Sequence, residues 1–513
     1  MYVQKIKALS YLPYFVMIIG VLTHMFMGFS WTETSGHTIG SDDAYISFRY
    51  AKNFFEGHGL IFNLDEKVEG YSNLLYTLLI TPGFFLGKHN IYYVSVALNC
   101  ALLFTTLLIY SRFLTKKLGN EHALLGLLIF AFNPWVWANA ATGLETILVL
   151  TITTALWISV EEYFSEHKKN LRLILILCVI SMLSRVDGFV LPVIIAIYAA
   201  IKNNKNLFIC LVITIFIVMV LHTLFRYFYY QDFIANTFYN KISGSIIYRL
   251  KRGKTFIIQN FIRTGLWLPF LICIKLIFDS IKTKKLLSKI EFPILFFLLW
   301  SAYLIWIGGD IYYERFLVGL FPLATFILIR QFSLCRKEYV NLILVIMFII
   351  IQNIRTIKDG RFDYTLNRYD GWKSTGEFLG QMYPNATIAV DAAGKIPFYS
   401  ELRTIDMLGL NDKHIAKMDI ASKNFVPGHM KFDANYVLKN SPDIITSWIN
   451  DNLDLNYGLS KEVYSHQYNL YYLVNLTRNN KYPNNIILVK NLSTGEVQKL
   501  IAKGYNYAIL KKL

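Results

Sequence analysis

Apolar runs long enough to cross a bilayer recur through the first two thirds of the chain, and they limit its fold more than any other feature. A hydrocarbon core needs roughly 20 apolar residues per helix. Spans are predicted at 11–29, 91–111, 122–140, 144–163, 171–184, 188–201, 206–228, 264–281, 292–308, 316–330 and 340–355. The two short ones, 171–184 and 188–201, flank Arg185–Asp187 and can each extend by a turn. The apolar segment 72–87 reads as a helix lying in or dipping into the outer leaflet, because a further span there disturbs the charge pattern downstream. Of the 513 residues 55% are hydrophobic and only 17% charged, against about 25% charged in soluble proteins. Disorder, a collagen-like chain and a cytosolic enzyme are excluded. The expected fold class is a polytopic α-helical membrane protein with about eleven transmembrane helices, juxtamembrane helices and a C-terminal soluble α/β domain. Residues 1–355 form the membrane module, with a first outer loop at 30–90, and 356–513 form the tail.

The net charge of +17 is mostly a topological signal. Lys and Arg collect on cytoplasmic loops, and eleven spans put the plain basic loops on one side. Those loops carry 17 cations and seven acids, whereas the tail carries 19 and 15. The N-terminus is then cytoplasmic and the tail lies outside. Nucleic-acid binding loses its main support. The first apolar run exceeds a secretory h-region and lacks an A-x-A site, so it reads as a retained span.

The five cysteines fall in spans or a cytoplasmic loop, so no disulfide framework is expected on the oxidising side. No CxxC or His/Cys ligand spacing suggests a metal. Gly253-Lys254-Thr255 lacks the upstream glycine of a phosphate-binding loop, and Gly57-x-Gly59 has Phe62 where a dinucleotide loop needs glycine. No cofactor is expected.

The informative polar residues lie in the outer loops. Ser41-Asp42-Asp43-Ala44-Tyr45 reads as a helix start, with Ser41 as N-cap and the aspartates at the positive end, and Gly57 suits the stop. Helix-start preference explains one aspartate better than two. Successive helical positions diverge by about 100°, so one carboxylate can face a cleft while its neighbour is held. His58 reads as a structural loop residue. Further clusters sit at span ends: Thr142-Gly143-Leu144-Glu145-Thr146, Ser184-Arg185-Val186-Asp187-Gly188, and Gly308-Gly309-Asp310 with Glu314-Arg315-Phe316. Beyond Arg226 come Tyr229, Tyr230, Asp232, Asn236, Thr237, Tyr239 and Lys241. Charge at membrane depth costs about 2.5–3.5 kcal/mol per residue, so any one cluster suits an interfacial cap. Together they imply a single polar cavity at the outer surface. The basic stretch 244–263 reads either as a solvated loop or as an arm contacting lipid phosphates or an anionic glycan. In the tail, 386–391, 444–446, 471–474, 486–489 and 507–510 alternate as short strands, while 372–382 and 431–439 read as helices.

In this order, DDAYISFRYAKNFFEGHGLIFN, VEGYSNLL, TGLET, SRVDG, YYQDFIANTFYNK and GGDIYYERF resemble bacterial GT-C glycosyltransferases of the arabinofuranosyltransferase-B type. In the tail, the stretch from Asp391-Ala392-Ala393-Gly394-Lys395 through Ile405–Asp412 to Gly428-His429 is similar to that family's periplasmic domain. The resemblance implies a GT-C enzyme that inverts the anomeric carbon of a polyprenyl-phosphate sugar, with a first-loop carboxylate as base. On that reading Asp42 is the base and Asp43 positions the acceptor or the base. Arg185, Lys241 and Arg315 bind the donor phosphate. Glu145, Asp187, Tyr230, Asn236 and Asp310 bind sugar or acceptor, or orient those cations. The partners implied are the lipid-linked donor, a glycan, lipid or protein acceptor, and membrane lipids. The chain is rich in Lys, Asn and Ile rather than Ala and Arg, which leaves the donor sugar open. A transporter or flippase of lipid-linked glycans is the alternative, but transporters place charges near the midplane on broken helices, usually with internal repeats.

Overall fold

The computed structural model describes residues 12–20, 22, 40–165, 170–241, 245–282, 290–310, 314–333, 343, 345–352, 354, 370–419, 426–476 and 485–513. Each predicted span holds a helix over most of its described residues, with breaks at Phe132–Asn133, Leu144–Glu145, Gly188–Phe189, Gly265–Leu266 and Gly308. Among the described residues four helices are long and apolar enough to cross a membrane: Lys88–Leu118, Thr146–Ser165, Lys205–Tyr230 and Arg315–Phe332. Two bent pairs raise this to six if each is one span, Asn120–Ala131 with Pro134–Ala140 (52°) and Ile246–Thr264 with Trp267–Lys282 (109°). Leu171–Ser184, Val190–Ile201 and Phe292–Ile307 are apolar but shorter. The predicted run 122–140 is therefore broken. Pro134 cannot donate its backbone nitrogen, and Asn133 caps the second piece by accepting from Trp135 and Val136. The 72–87 segment forms Leu74–Ile80 followed by a 3-10 turn at Thr81–Leu86.

The basic stretch 244–263 is neither loop nor free arm. It forms the helix Ile246–Thr264, which packs on Phe292–Ile307. The two approach most closely at Gly253, where a Cβ would lie 2.7 Å from Ile305 Cα. Arg249 turns inward over the Trp306 ring at 5.2 Å, while Lys251 and Lys254 are exposed.

The tail carries a six-stranded sheet: β1 (Thr387–Val390), β2 (Arg403–Asp406), β3 (Ile444–Trp448), β4 (Tyr468–Val474), β5 (Ile486–Leu488) and β6 (Tyr507–Lys512), in the order β2-β1-β3-β6-β4-β5. β1 pairs parallel with β2 and β3, and the other pairings are antiparallel. β2, absent from the predicted strands, is only four residues long and opens on the exposed Arg403, so it shows no alternation to read. One sheet face packs Val437, Leu438, Tyr464 and Ile501. Its other face shares a core with the first loop: Ile46, Tyr50, Leu60, Phe62 and Tyr71 bury against Trp372, Leu379, Ile388 and Ile509. Loop and tail share that core.

Arg49 reinforces this joint. Its guanidinium donates to Phe62 O at 2.7 Å, Pro397 O at 2.7 Å and Leu402 O at 2.8 Å. Burial lowers its pKa to about 10, still protonated at neutral pH.

Substituting Gly253→Ala should force the two helices apart. The expected loss is about 1–3 kcal/mol of stability, read as a lower unfolding midpoint of the purified protein in detergent, with no change expected for the exposed Gly57→Ala beyond its positive-φ cost.

Candidate functional site

The helix Asp42–Phe55 opens with both aspartates in its first turn. Ser41 takes the N-cap position in extended conformation, but its hydroxyl makes no capping bond. The two carboxylates diverge as the helical repeat requires. Asp42 turns to the tail, where Oδ1 accepts from the Lys395 amide at 2.7 Å and Oδ2 from the Gly394 amide at 3.0 Å. Burial pushes its pKa up to about 6, against those hydrogen bonds and the Lys395 charge, which lower it. Asp43 instead faces Arg315, whose Nη1 lies 3.8 Å from Oδ2.

Both aspartates line a cavity with about 750 Å³ of empty space, together with Trp372, Trp448, Tyr457, Asp391, Asp406 and His429. It opens beyond the carboxyl ends of the parallel strands, at the point where the chain reverses direction from β2 to β3 around β1. Open α/β sheets place ligands there. Asp391 follows β1 and accepts from Tyr507 Oη at 2.8 Å and Ser447 Oγ at 2.9 Å. Asp406 ends β2 and accepts from the amides of Leu408, Gly409 and Asn411. Burial raises both carboxyl pKa values, that of Asp406 to about 6.

A second cavity, with about 800 Å³ of empty space, lies on the membrane-module side of Arg315. It is lined by Arg185, Asp187, Asp310 and Arg315 and by the apolar Phe189, Phe238, Trp306 and Phe316. Its cations are held by carboxylates. Arg185 donates to Glu145 Oε1 at 2.8 Å and to Asp187 Oδ1 at 2.7 Å. Arg315 is paired with Asp310. Both guanidinium carbons lie over the Phe316 ring, at 4.3 Å for Arg185 and 5.5 Å for Arg315. Tyr303 Oη donates to Asp187 at 3.0 Å, and Asn73 Nδ2 to Glu145 at 2.8 Å. Burial alone would raise the Asp187 carboxyl, but Arg185 and Tyr303 outweigh it and hold the group below its usual range. Arg252, from the basic helix, donates to the Asp310 carbonyl at 3.0 Å. The tail joins in here too: Pro427 lines this cavity while Gly428 and His429 line the first.

Five of the anticipated residues thus converge with Asp42 and Asp43: none of Glu145, Arg185, Asp187, Asp310 and Arg315 stands apart, and the two arginines share the Phe316 ring. Tyr230 and Asn236 do not line either cavity. Tyr230 is buried, its hydroxyl donating to Leu60 O at 2.8 Å and lying 3.1 Å from Tyr71 Oη. Asn236 Nδ2 donates to the carbonyls of Gly409 at 3.0 Å and Leu410 at 2.9 Å, pinning the turn after β2. Asn236 thus tethers the membrane module to the tail, whereas the Tyr230 hydroxyl ties the end of its helix to the first outer loop. The Lys241 side chain lies outside the described residues. Asn73 had a signal in the Glu69–Asn73 loop, but Tyr303 sits in an apolar span and had none. Among the described residues no group of three or more His, Cys, Asp or Glu is arranged to hold a metal ion.

Short helices around a polar chamber, capped by a small α/β domain, define a multi-pass membrane protein with the GT-C glycosyltransferase fold. The solved structure of ArnT from Cupriavidus metallidurans bound to undecaprenyl phosphate superposes with a TM-score of 0.55 at 11% identity, over 97% of both chains. Its apo form gives 0.54 with the same coverage. The Archaeoglobus fulgidus oligosaccharyltransferase, in complex with zinc and sulfate, gives 0.52 at 9% identity over 92% of this chain and 74% of that one. In sequence, 125 residues are 30% identical to the terminal β-(1→2)-arabinofuranosyltransferase of Mycobacterium tuberculosis H37Rv. That match spans 23% of this chain and only 20% of the relative's length. Residues 355–509 match a family described as a domain of unknown function, DUF8728.

Replacing Glu145 by Ala leaves Arg185 and Asn73 each short of a buried partner. The expected cost is about 1.5–3 kcal/mol, the range for hydrogen bonds to charged groups, and an unchanged unfolding midpoint of the solubilised protein would contradict the geometry.

Proposed function

We propose that the protein is an inverting glycosyltransferase that moves a sugar from a polyprenyl-phosphate donor to a hydroxyl of a cell-envelope glycan, lipid or protein, on the outer side of a bacterial inner membrane. The observation that carries this reading is the contact of Asp43 with Arg315, where the two cavities meet. One cavity offers cations with an apolar wall, which suits a lipid-linked phosphate. The other offers carboxylates and aromatic rings, which suits a sugar-bearing acceptor.

On this proposal the acceptor oxygen attacks the anomeric carbon while Asp42 takes its proton. The bond from that carbon to the phosphate oxygen breaks, and the electron pair leaves with the phosphate. Arg185 and Arg315 stabilise the charge that develops there, an effect strongest for preorganised donors in a water-poor site. Guanidinium groups suit phosphate by their paired N–H donors. Asp42 suits the base role because burial brings its pKa near working pH, where general bases are most effective. Asp43 couples base and donor site through Arg315. Glu145, Asp187 and Asp310 orient the cations.

The ligand of the ArnT structure, undecaprenyl phosphate, supports a lipid-phosphate donor for this chain, and the partial identity to the mycobacterial enzyme supports sugar transfer. A lipid-linked glycan transporter accounts less well for Asp42, held at the cavity wall by two amides.

The deciding experiment is reconstitution of the purified protein with candidate polyprenyl-phosphate sugars, alongside glycan mass analysis of a deletion strain. Asp42→Asn should lower transfer by about 10²–10⁴-fold, and Arg315→Met by on the order of 10²-fold, both in folded protein. Turnover with a nucleotide sugar and no lipid donor would overturn the reading. Since the base acts deprotonated, the rate should rise with pH through an acid limb near pH 6; a flat profile from pH 5 to about 7.5 would exclude Asp42 as base.

A further inference from the structure

Lys395 is wholly buried, and so is its partner Asp370, 2.8 Å away. Burying two charges costs several kcal/mol per ion before their attraction offsets it, so the position calls for a reason beyond packing. The tail alone does not supply one. Asp370 already caps the helix Gly371–Met382 through Oδ1, accepting from the amides of Trp372 and Lys373. The reason lies across the joint. Lys395 Nζ donates to the carbonyl of Gly40 at 2.7 Å, and its backbone amide donates to Asp42 at 2.7 Å. One residue of the tail therefore grips the chain on both sides of Ser41, whose own amide is tied to Thr142 O at 2.8 Å. The approach is close enough that a Cβ on Gly394 would lie 2.7 Å from the Asp42 carboxyl carbon.

We propose that Lys395 is a positioning residue for the reaction: its ammonium and its amide together set the place and direction of the Asp42 carboxylate, so the tail domain completes the active site rather than merely covering it. This rests on the glycosyltransferase reading above, with Asp42 as base. Asp43, on the same helix, faces Arg315; from the tail, Asp42 is met by Lys395, Asp391, Asp406, His429 and Tyr507. Of these only Lys395 is a permanent cation, and its charge opposes the rise that burial imposes on Asp42.

The test is the double variant Lys395→Met/Asp370→Asn. Asn remains a good cap, Met replaces the lysine stem, and exchanging a buried ion pair for uncharged groups is often neutral for stability. The unfolding midpoint in detergent should stay within about 2 °C of the parent. The maximal transfer rate should fall on the order of 10- to 100-fold, as for a slightly misplaced reacting group, with the donor KM unchanged. The acid limb should move to higher pH, by roughly half a unit or more, because loss of a nearby cation favours the protonated carboxyl. Carbodiimide labelling of Asp42 against pH, read by mass spectrometry, should shift in the same direction without reference to turnover. A stable double variant with the parental rate, limb and labelling profile overturns the proposal. If that variant unfolds, Lys395→Arg, which keeps a cation and donors, must retain the parental limb and labelling profile; displacement of both overturns it equally. A wild-type protein inactive with every lipid-phosphate sugar would sink the glycosyltransferase reading, and the labelling profiles would still decide whether Lys395 governs Asp42.

Discussion

Two backbone amides of the tail hold one carboxylate of the first loop, and the rest of the polar chamber takes its geometry from that contact. Asp42 is fixed by Gly394 and Lys395. Because it is the first residue of a helix, the fix extends to its neighbour: Asp43 lies about 100° further round, where it meets Arg315. Arg315 shares the Phe316 ring with Arg185, and Arg185 reaches Glu145 and Asp187. Hydrogen bonds to charged groups contribute about 1.5–3 kcal/mol each. A chain of them, begun at rigid amides, is stiff enough to keep two cavities in register.

The chamber also shows how a membrane protein stores charge. Carboxylates and arginines sit at helix ends rather than along the apolar lengths, where insertion is costly. Several have a partner from a distant part of the sequence: Glu69 with Arg226, Glu145 with Arg185, Asp42 with the tail. Such pairing fixes the guanidinium donors in place.

Much of this was legible in the sequence, and the reasons for the remainder are physical. Apolar length located the helices, because a bilayer demands it; it did not reveal the break at Asn133-Pro134, where a local cap and a missing donor outweigh continuous hydrophobicity. The polar clusters at span ends pointed to one chamber, since charges avoid lipid. Which cluster members line it was not legible. Tyr230 and Asn236 stand in a motif beside functional-looking residues, yet they bond to Leu60 and to the Gly409 and Leu410 carbonyls. Side-chain direction at a helix end depends on what packs against it, and that came from the tail. For the same reason nothing local showed that Lys395, 353 positions away, meets Asp42, and β2 was too short to alternate.

The grip of Gly394 and Lys395 on Asp42 bears on how such proteins diversify. A soluble domain that only roofed the chamber could be exchanged by recombination for any other of similar size. This one carries a glycine that must remain without a Cβ, and a lysine that completes the loop opposite. A new domain would have to present the same pair at the same place, so loop and tail are constrained to be inherited together, and novelty is left to the residues between them.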